Sequence, residues 1–371
     1  MARNIINSHN AVIAAQDSSV AWSTADQSVV LYKLAQSFTH SANFPRQSSK
    51  QLGEQGSVYR GFFQQPDVQL DISYIPEPNF SNEVLGRFID TTSSWGSEFK
   101  NMFDTTDSTN FYIFIDENQE DNFLDEITFY SSLNLSGASA MAFGNCYPTS
   151  YSLSYGVGTL PTVSTSYICS NMVFDNLTGA YMEMPAINLT GGNNDNVGRC
   201  DFTFGTSLSS ATFEKKPPVV NPTDPYSSIT LQNLQVGGQN ISGVHLVQSV
   251  DMSVDLARVA EYGLGSDFAY GRKPQFPAQG SFNVSSLVSG FGNGAITGVL
   301  NSDESYDFQL VLASGSDKFE GGGAKMIYEI EDAKLNSFEY GMPINEIMTF
   351  SASFSFEVTQ TKGLKLSGTY Y

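Results

Sequence analysis

MTFSASFSFEV, from Met348 to Val358, decides the fold class of this chain. Met348, Phe350, Ala352, Phe354, Phe356 and Val358 fall on one side of an extended backbone, and Ser and Thr occupy most of the other. Successive side chains of a strand point to opposite faces, so this alternation predicts a sheet with one face for a core and one for solvent, a lumen or a partner. Moving outward, the same pattern recurs. In DVQLDISYI, Val68, Leu70, Ile72 and Tyr74 alternate with polar residues. SYSLSYGVG, from Ser150, sets Tyr151, Leu153, Tyr155 and Val157 on one face. FYIFID (Phe111–Asp116) is nearly continuous and predicts a more buried strand, and strands are also expected in EITFYSSLNL (Glu126–Leu135) and STSYICSNMVF (Ser164–Phe174). Helix signals are few. SNEVLGRFID (Ser81–Asp90) predicts a short helix capped by Ser81 or Asn82, with Val84, Leu85, Phe88 and Ile89 inward. SSWGSEFKNMF (Ser93–Phe103) predicts a second.

One segment occurs twice. LAQSFTHSANFPRQSSKQLG spans Leu34–Gly53, and LVQSVDMSVDLARVAEYGLG spans Leu246–Gly265. Without a gap, Leu34 aligns with Leu246, Gln36 with Gln248, Ser37 with Ser249, Ser41 with Ser253, Arg46 with Arg258, Leu52 with Leu264 and Gly53 with Gly265. Phe38 and Phe44 align in kind with Val250 and Leu256. Downstream, Tyr59 and Pro66 correspond to Tyr270 and Pro277 only if the alignment slips by one residue, and FYIFIDENQEDNF resembles FQLVLASGSDKF (Phe308–Phe319). The pattern predicts a duplicated domain. Four prolines in KKPPVVNPTDPY (Lys215–Tyr226) forbid regular structure and mark the boundary. The expected organisation is an N-terminal arm at 1–20, a first domain at 21–214, a Pro-rich linker at 215–226 and a second domain at 227–371. The longer first half carries an insertion, expected within 76–108 or 176–214.

Composition narrows the function. The 371 residues carry a formal charge of −20, which disfavours tight binding to nucleic acid. Only 15% of residues are charged, so Ser, Thr, Asn, Gln and Gly build much of the surface. Cys146, Cys169 and Cys200 lack the spacing of a zinc site or disulfide framework. No secretory signal and no apolar run long enough for a transmembrane helix is visible, so synthesis in a reducing cytoplasm is expected. His9, His40 and His245 sit beside no nucleophile motif. DENQEDNFLDE (Asp116–Glu126) fails as a calcium loop, with Asp121 at the glycine position and Ile127 at the last ligand position. EGGGAK lacks the Ser or Thr of a phosphate loop, and GGNNDN (Gly191–Asn196) reads as a loop. No catalytic, cofactor-binding or metal-binding residues are assigned, and no enzyme activity is expected.

The stretches VLYKLAQSFTHSANFPRQSSKQLGEQGSVYRGFFQQPDVQLDISY (Val30–Tyr74) and GVHLVQSVDMSVDLARVAEYGLGSDFAYGRKPQFPAQGSFNV (Gly243–Val284) resemble the tail tube proteins of long-tailed bacteriophages. NCYPTSYSLSYGVGTLPTVSTSYICSNM (Asn145–Met172) carries the same resemblance. The resemblance implies a mainly β chain of two tandem β-sandwich domains, each with a short helix, contributing to a ring-shaped inner β-barrel. It implies a structural virion protein, made in the host bacterial cytoplasm and located in the virion tail. Its partners would be itself, as a trimeric ring with pseudo-six-fold symmetry stacked into a tube, together with tape measure and terminator proteins, and sheath if the tail contracts. DNA would pass through the lumen without specific binding, and a net negative lumen is expected. The alternative is a surface-binding tail-tip, fibre-associated or capsid-decoration protein.

Overall fold

The computed structural model of the chain describes residues 11–17, 30–32, 34–43, 46–50, 52–53, 55, 57–62, 67–76, 80–89, 100–103, 108–115, 139–156, 159–176, 181–184, 198–201, 229–230, 235–236, 239–240, 245–261, 271–288, 305–313, 325–341 and 347–369. Residues 1–10 and 18–20 of the expected arm, the Pro-rich linker, the strand expected at Glu126–Leu135 and the acidic and Gly-rich loops up to Ala324 lie outside these residues, whereas residues 11–17 of the expected arm form a strand with Ile13 and Ala15 in the core.

The chain is mainly β. The first half holds β1 (Ala11–Asp17), β2 (Val30–Leu31), β3 (Ala35–Asn43), β4 (Arg46–Lys50), β5 (Ser57–Phe62), β6 (Asp67–Tyr74), helix α1 (Ser81–Leu85), β7 (Lys100–Asn101), β8 (Thr109–Ile115), β9 (Ser139–Gly156), β10 (Thr162–Cys169), β11 (Asn171–Asn176), β12 (Tyr181–Met184) and β13 (Gly198–Asp201). The second holds β14 (Ile229–Thr230), β15 (Gln235–Val236), β16 (Gln239–Asn240), β17 (His245–Asp255), β18 (Arg258–Glu261), β19 (Gly271–Pro274), β20 (Ala278–Val288), β21 (Tyr306–Ala313), β22 (Lys325–Gly341), β23 (Thr349–Val358) and β24 (Leu364–Thr369).

Eight strands form one antiparallel run in the order β3-β6-β10-β9-β17-β20-β23-β22. The run consists of two four-stranded units of the same connectivity. In each, the third strand in sequence is the longest and lies at the unit's edge: β9 in the first, β22 in the second. These two strands then leave the shared run and enter smaller sheets. β9 pairs there with β8 and β11, and β22 with β21 and β24.

The 212-residue spacing of the sequence repeat recurs in the pairing. Phe38 opposes Ile72 in the first unit and Val250 opposes Val284 in the second. Each member of the second pair lies 212 positions after its counterpart. A register shift falls between Ala35 and Ser37 in β3 and between Val247 and Ser249 in β17, placing Gln36 and Gln248 at equivalent bulges. The flanking hairpins keep the spacing, because Arg46 opposes Phe62 as Arg258 opposes Pro274. No one-residue slip is present. The counterpart of Tyr59 is Gly271, which pairs with Glu261 as Tyr59 pairs with Ser49.

Beyond β6 the spacing shortens. Phe111 opposes Phe143 as Phe308 opposes Ile330, so β8 and β21 lie 197 apart. Thr165 opposes Tyr151 as Ala352 opposes Phe338, so β10 and β23, like β9 and β22, lie 187 apart. Of the first half's extra length, about 15 residues thus fall in the β6–β8 connection and about 10 in the β8–β9 connection, and the stretch after β11 that holds β12 and β13 lies in the expected window at 176–214. The expected window at 76–108 receives part of it, whereas the excess in the β8–β9 connection falls in neither expected window.

The corners where β9 and β22 change sheets match closely. Asn145 and Asp332, 187 apart, both have positive φ, at 48° and 56°. Asn and Asp tolerate this left-handed conformation better than most residues. Each corner N–H donates to a side-chain Oδ1 on the neighbouring strand: Asn145 to Asn110 at 2.9 Å, Asp332 to Asp307 at 3.0 Å. Asn110 and Asp307 are themselves 197 apart, the β8–β21 spacing. The packing also repeats. Phe111 meets Tyr167 edge-on at 4.8 Å, and Phe308 meets Phe354 edge-on at 4.7 Å.

One continuous hydrophobic core runs through both units. Alternation behaves as expected: Ala352, Phe354, Phe356 and Val358 of β23 are buried, as are Val68, Leu70, Ile72 and Tyr74 of β6. The helix differs from expectation. Phe80, with φ 49°, precedes α1, and neither Ser81 nor Asn82 caps it. Asn82 and Glu83 are buried, whereas Val84 and Leu85 are only half-buried, because Glu83 is drawn inward by tyrosine hydroxyls. No second helix occurs among the described residues. The described end of Ser93–Phe103 forms β7 instead, pairing with Lys365 and Leu366 of β24, so the β6–β8 connection stitches the first half to the second.

Candidate functional site: a polar sheet face between two open edges

The apolar side of the eight-stranded run is covered by the smaller sheets, and its other side is exposed. Strand alternation places Ser37, Thr39, Ser41, Asp71 and Ser73 on the exposed face, with Ser150, Ser152, Ser154, Ser164 and Ser166 beside them. Asp251, Ser253, Asp255, Ser281, Asn283, Ser351, Ser353 and Ser355 continue it into the second unit. The hydroxyls and carboxylates bind one another across strands. Ser37 and Ser73 lie 2.6 Å apart, Ser253 and Ser281 2.8 Å apart, and Ser154 donates to Asp251 at 2.6 Å. The last contact crosses the junction between the units.

Among the described residues of this face, Asp71, Asp251, Asp255, Glu339 and Glu357 are opposed by Lys334 alone. The face therefore carries a negative field toward any polyanion near it. A shallow concavity of about 330 Å³ crosses β17, β20, β23 and β22. Most of its lining residues are polar, including Ser249, Asp251, Asn283, Ser337 and Glu339, unlike the predominantly apolar residues of a small-molecule site.

Both ends of the run are open. Among the described residues β3 pairs only with β6, and the half of β22 from Lys334 to Gly341 pairs only with β23. Burial at these edges departs from that of their counterparts inside the run. Val250, Met252 and Val254 of β17 are 0%, 1% and 0% exposed. The matching Phe38 and Ala42 of β3 are half-buried, and His40 is exposed. Tyr151 and Leu153 of β9 are fully buried, but their counterparts Phe338 and Tyr340 are not, and Phe338 is 38% exposed. Tyr340 stacks between Phe338 and Phe350 in an apolar group beside the open edge. Unpaired strand edges are templates for pairing with another chain.

Among the described residues, the one buried carboxylate with ring-hydroxyl partners does not form a reaction centre. Glu83 Oε1 accepts from Tyr74 at 2.9 Å and from Tyr151 at 3.2 Å, and the Tyr151 and Tyr328 hydroxyls lie 3.0 Å apart. Burial pushes the phenols of Tyr74, Tyr151 and Tyr328 well up, with the Glu83 charge adding to the shift. All four side chains are fully buried, so no substrate reaches them. The network instead pins Tyr151 of the first unit to Tyr328 of the second. The sequence signal for it was Glu83, an acid set beside the apolar Val84, Leu85, Phe88 and Ile89 of SNEVLGRFID.

Cys146 and Cys169 are buried free thiols, and burial pushes the Cys146 thiol well up, against nucleophilic use. His40 packs beside Phe143 and Phe174 on the open edge. Among the described residues no group of His, Cys, Asp and Glu is placed to hold a metal ion. No helix among them is long and apolar enough to cross a membrane. No protein-family model and no curated protein matches the chain.

Proposed function

We propose that the chain is a structural subunit of a bacteriophage tail tube, in which two tandem tube domains of one chain supply two of the six repeating wall units of a ring. Three copies would close a pseudo-six-fold ring around a lumen, and stacked rings would form the conduit for DNA ejection. The observation that carries this reading is the junction of β9 with β17. There the chain has already joined one four-stranded unit to its equivalent, edge to edge, and it leaves the same two kinds of edge open at its ends. Repetition of that junction between copies removes both open edges of the eight-stranded run, as closure of a barrel does.

The exposed face would then line the lumen. Its small hydroxyls keep water at the wall, and its carboxylates repel phosphate, so DNA slides rather than adheres. Tape measure and terminator proteins, and sheath if the tail contracts, would be the partners of such a tube, and the virion tail its location. Negative-stain microscopy of the purified chain over a range of concentration and salt tests the reading. Hollow rings or tubes are expected, and a discrete monomer under every condition would overturn it.

A further inference from the structure

Resting on the ring reading, we propose that neighbouring copies pair β3 of one with the open half of β22 of the next in a single register. Thr39 lies opposite Gly341, His40 opposite Tyr340, Ser41 opposite Glu339, Ala42 opposite Phe338 and Asn43 opposite Ser337.

The register follows from pairings that do not involve the open edges. Within the chain, β17 meets β9 with Asp251 opposite Ser154, Met252 opposite Leu153, Ser253 opposite Ser152, Val254 opposite Tyr151 and Asp255 opposite Ser150. The β3·β6 and β17·β20 pairings place each β17 residue 212 after its β3 counterpart. The β9·β10 and β22·β23 pairings place each β22 residue 187 after its β9 counterpart. Applying both spacings to the internal junction gives the five pairs above. The bulges at Gln36 and Asn336 fall outside this stretch, so no irregularity interrupts it.

The side chains fit the result. Ala42 faces the larger Phe338, as Val254 faces Tyr151 within the chain. His40 meets Tyr340 on the apolar side, and Ser41 meets Glu339 on the polar side. A slip of one residue would turn Phe338 and Tyr340 toward the polar face, so it is excluded by the pleat. Slips of two residues preserve the faces and are the real competitors.

Paired cysteines in the full chain, in a Cys200→Ser background, separate these registers. Ser41→Cys with Glu339→Cys, and Ala42→Cys with Phe338→Cys, probe the proposed register and cover both kinds of antiparallel pair. Ser41→Cys with Ser337→Cys, and Asn43→Cys with Glu339→Cys, probe the two-residue slips. Each variant is assembled, oxidised mildly, alkylated and run on a non-reducing gel, with images taken of the same sample. Because a disulfide demands Cα atoms within roughly 7 Å, at least one proposed pair should cross-link about tenfold more than either slipped pair. Rings with a slipped pair dominant would overturn the register and leave the ring reading intact. Rings without cross-linking in any variant would overturn edge pairing. Absence of rings in the parent chain would overturn both.

Discussion

Asn110 and Asp307 perform the same geometric task at the two corners, but their burial differs, and their removal should therefore differ in cost. Each accepts the N–H of a residue with positive φ, at 2.9 Å for Asn145 and 3.0 Å for Asp332. Asn110 is 2% exposed and Asn145 7%, so in Asn110→Ala the orphaned N–H has no water to replace its partner. The cost is that of a buried unsatisfied donor, about 2 kcal/mol. Asp307 and Asp332 are exposed, so in Asp307→Ala water takes over as acceptor and the loss stays below about 1 kcal/mol. Urea unfolding of the dissociated chain, followed by far-UV circular dichroism, measures both. Asn110→Ala should have the lower midpoint, by about 1 kcal/mol or more after multiplication by the slope. Equal losses, or a larger loss in Asp307→Ala, would refute the argument that burial and not corner geometry sets the cost.

Three further outcomes are expected. Burial raises the phenol pKa values of Tyr32, Tyr74, Tyr151, Tyr167 and Tyr328, so the folded state holds their protons longer than the unfolded state. Stability is then fully present below the unfolded pKa of about 10 and falls as pH rises above it, by about 1.4 kcal/mol per tyrosine per pH unit; steep unfolding above that pH in a circular dichroism titration checks this, and an unchanged fold well into that range contradicts it. Gly363 has φ 112°, and a Cβ there would run into the Glu357 carbonyl oxygen, whereas Gly53 at φ 95° has open space around it. Gly363→Ala should cost about 3 kcal/mol and Gly53→Ala about 1, read as shifts in thermal midpoint. Replacing Asp71, Asp251 and Asp255 together by Lys should convert the polar face to one that retains double-stranded DNA in a low-salt mobility shift, while the parent retains none.

Much of the fold was legible because its signals are periodic. Met348–Val358 and Asp67–Tyr74 alternate without interruption, and a strand needs little more than that to declare which side it buries. The likeness of Phe111–Phe123 to Phe308–Phe319 marked β8 and β21 at the spacing the pairing gives. What escaped depends on single residues. The 187-residue spacing is hidden because β9 and β22 conserve kind rather than identity, Tyr151 standing for Phe338 and Asn145 for Asp332. The corners rest on one backbone conformation each, which no pattern records. Glu83 faces the core against the amphipathic reading of its helix, because three tyrosine hydroxyls from distant strands meet there. The open edges were invisible in the sequence: β3 and β17 look alike, and only tertiary pairing makes one an interior strand and the other a boundary.

In the proposed tube the internal junction of β9 with β17 is repeated between copies to close a ring. Rotational power spectra of end-on ring images measure it most directly. A six-fold component is expected at the radius of the inner wall, with three-fold symmetry for the particle as a whole. Open or unclosed assemblies, or an inner wall with no six-fold component, would contradict it.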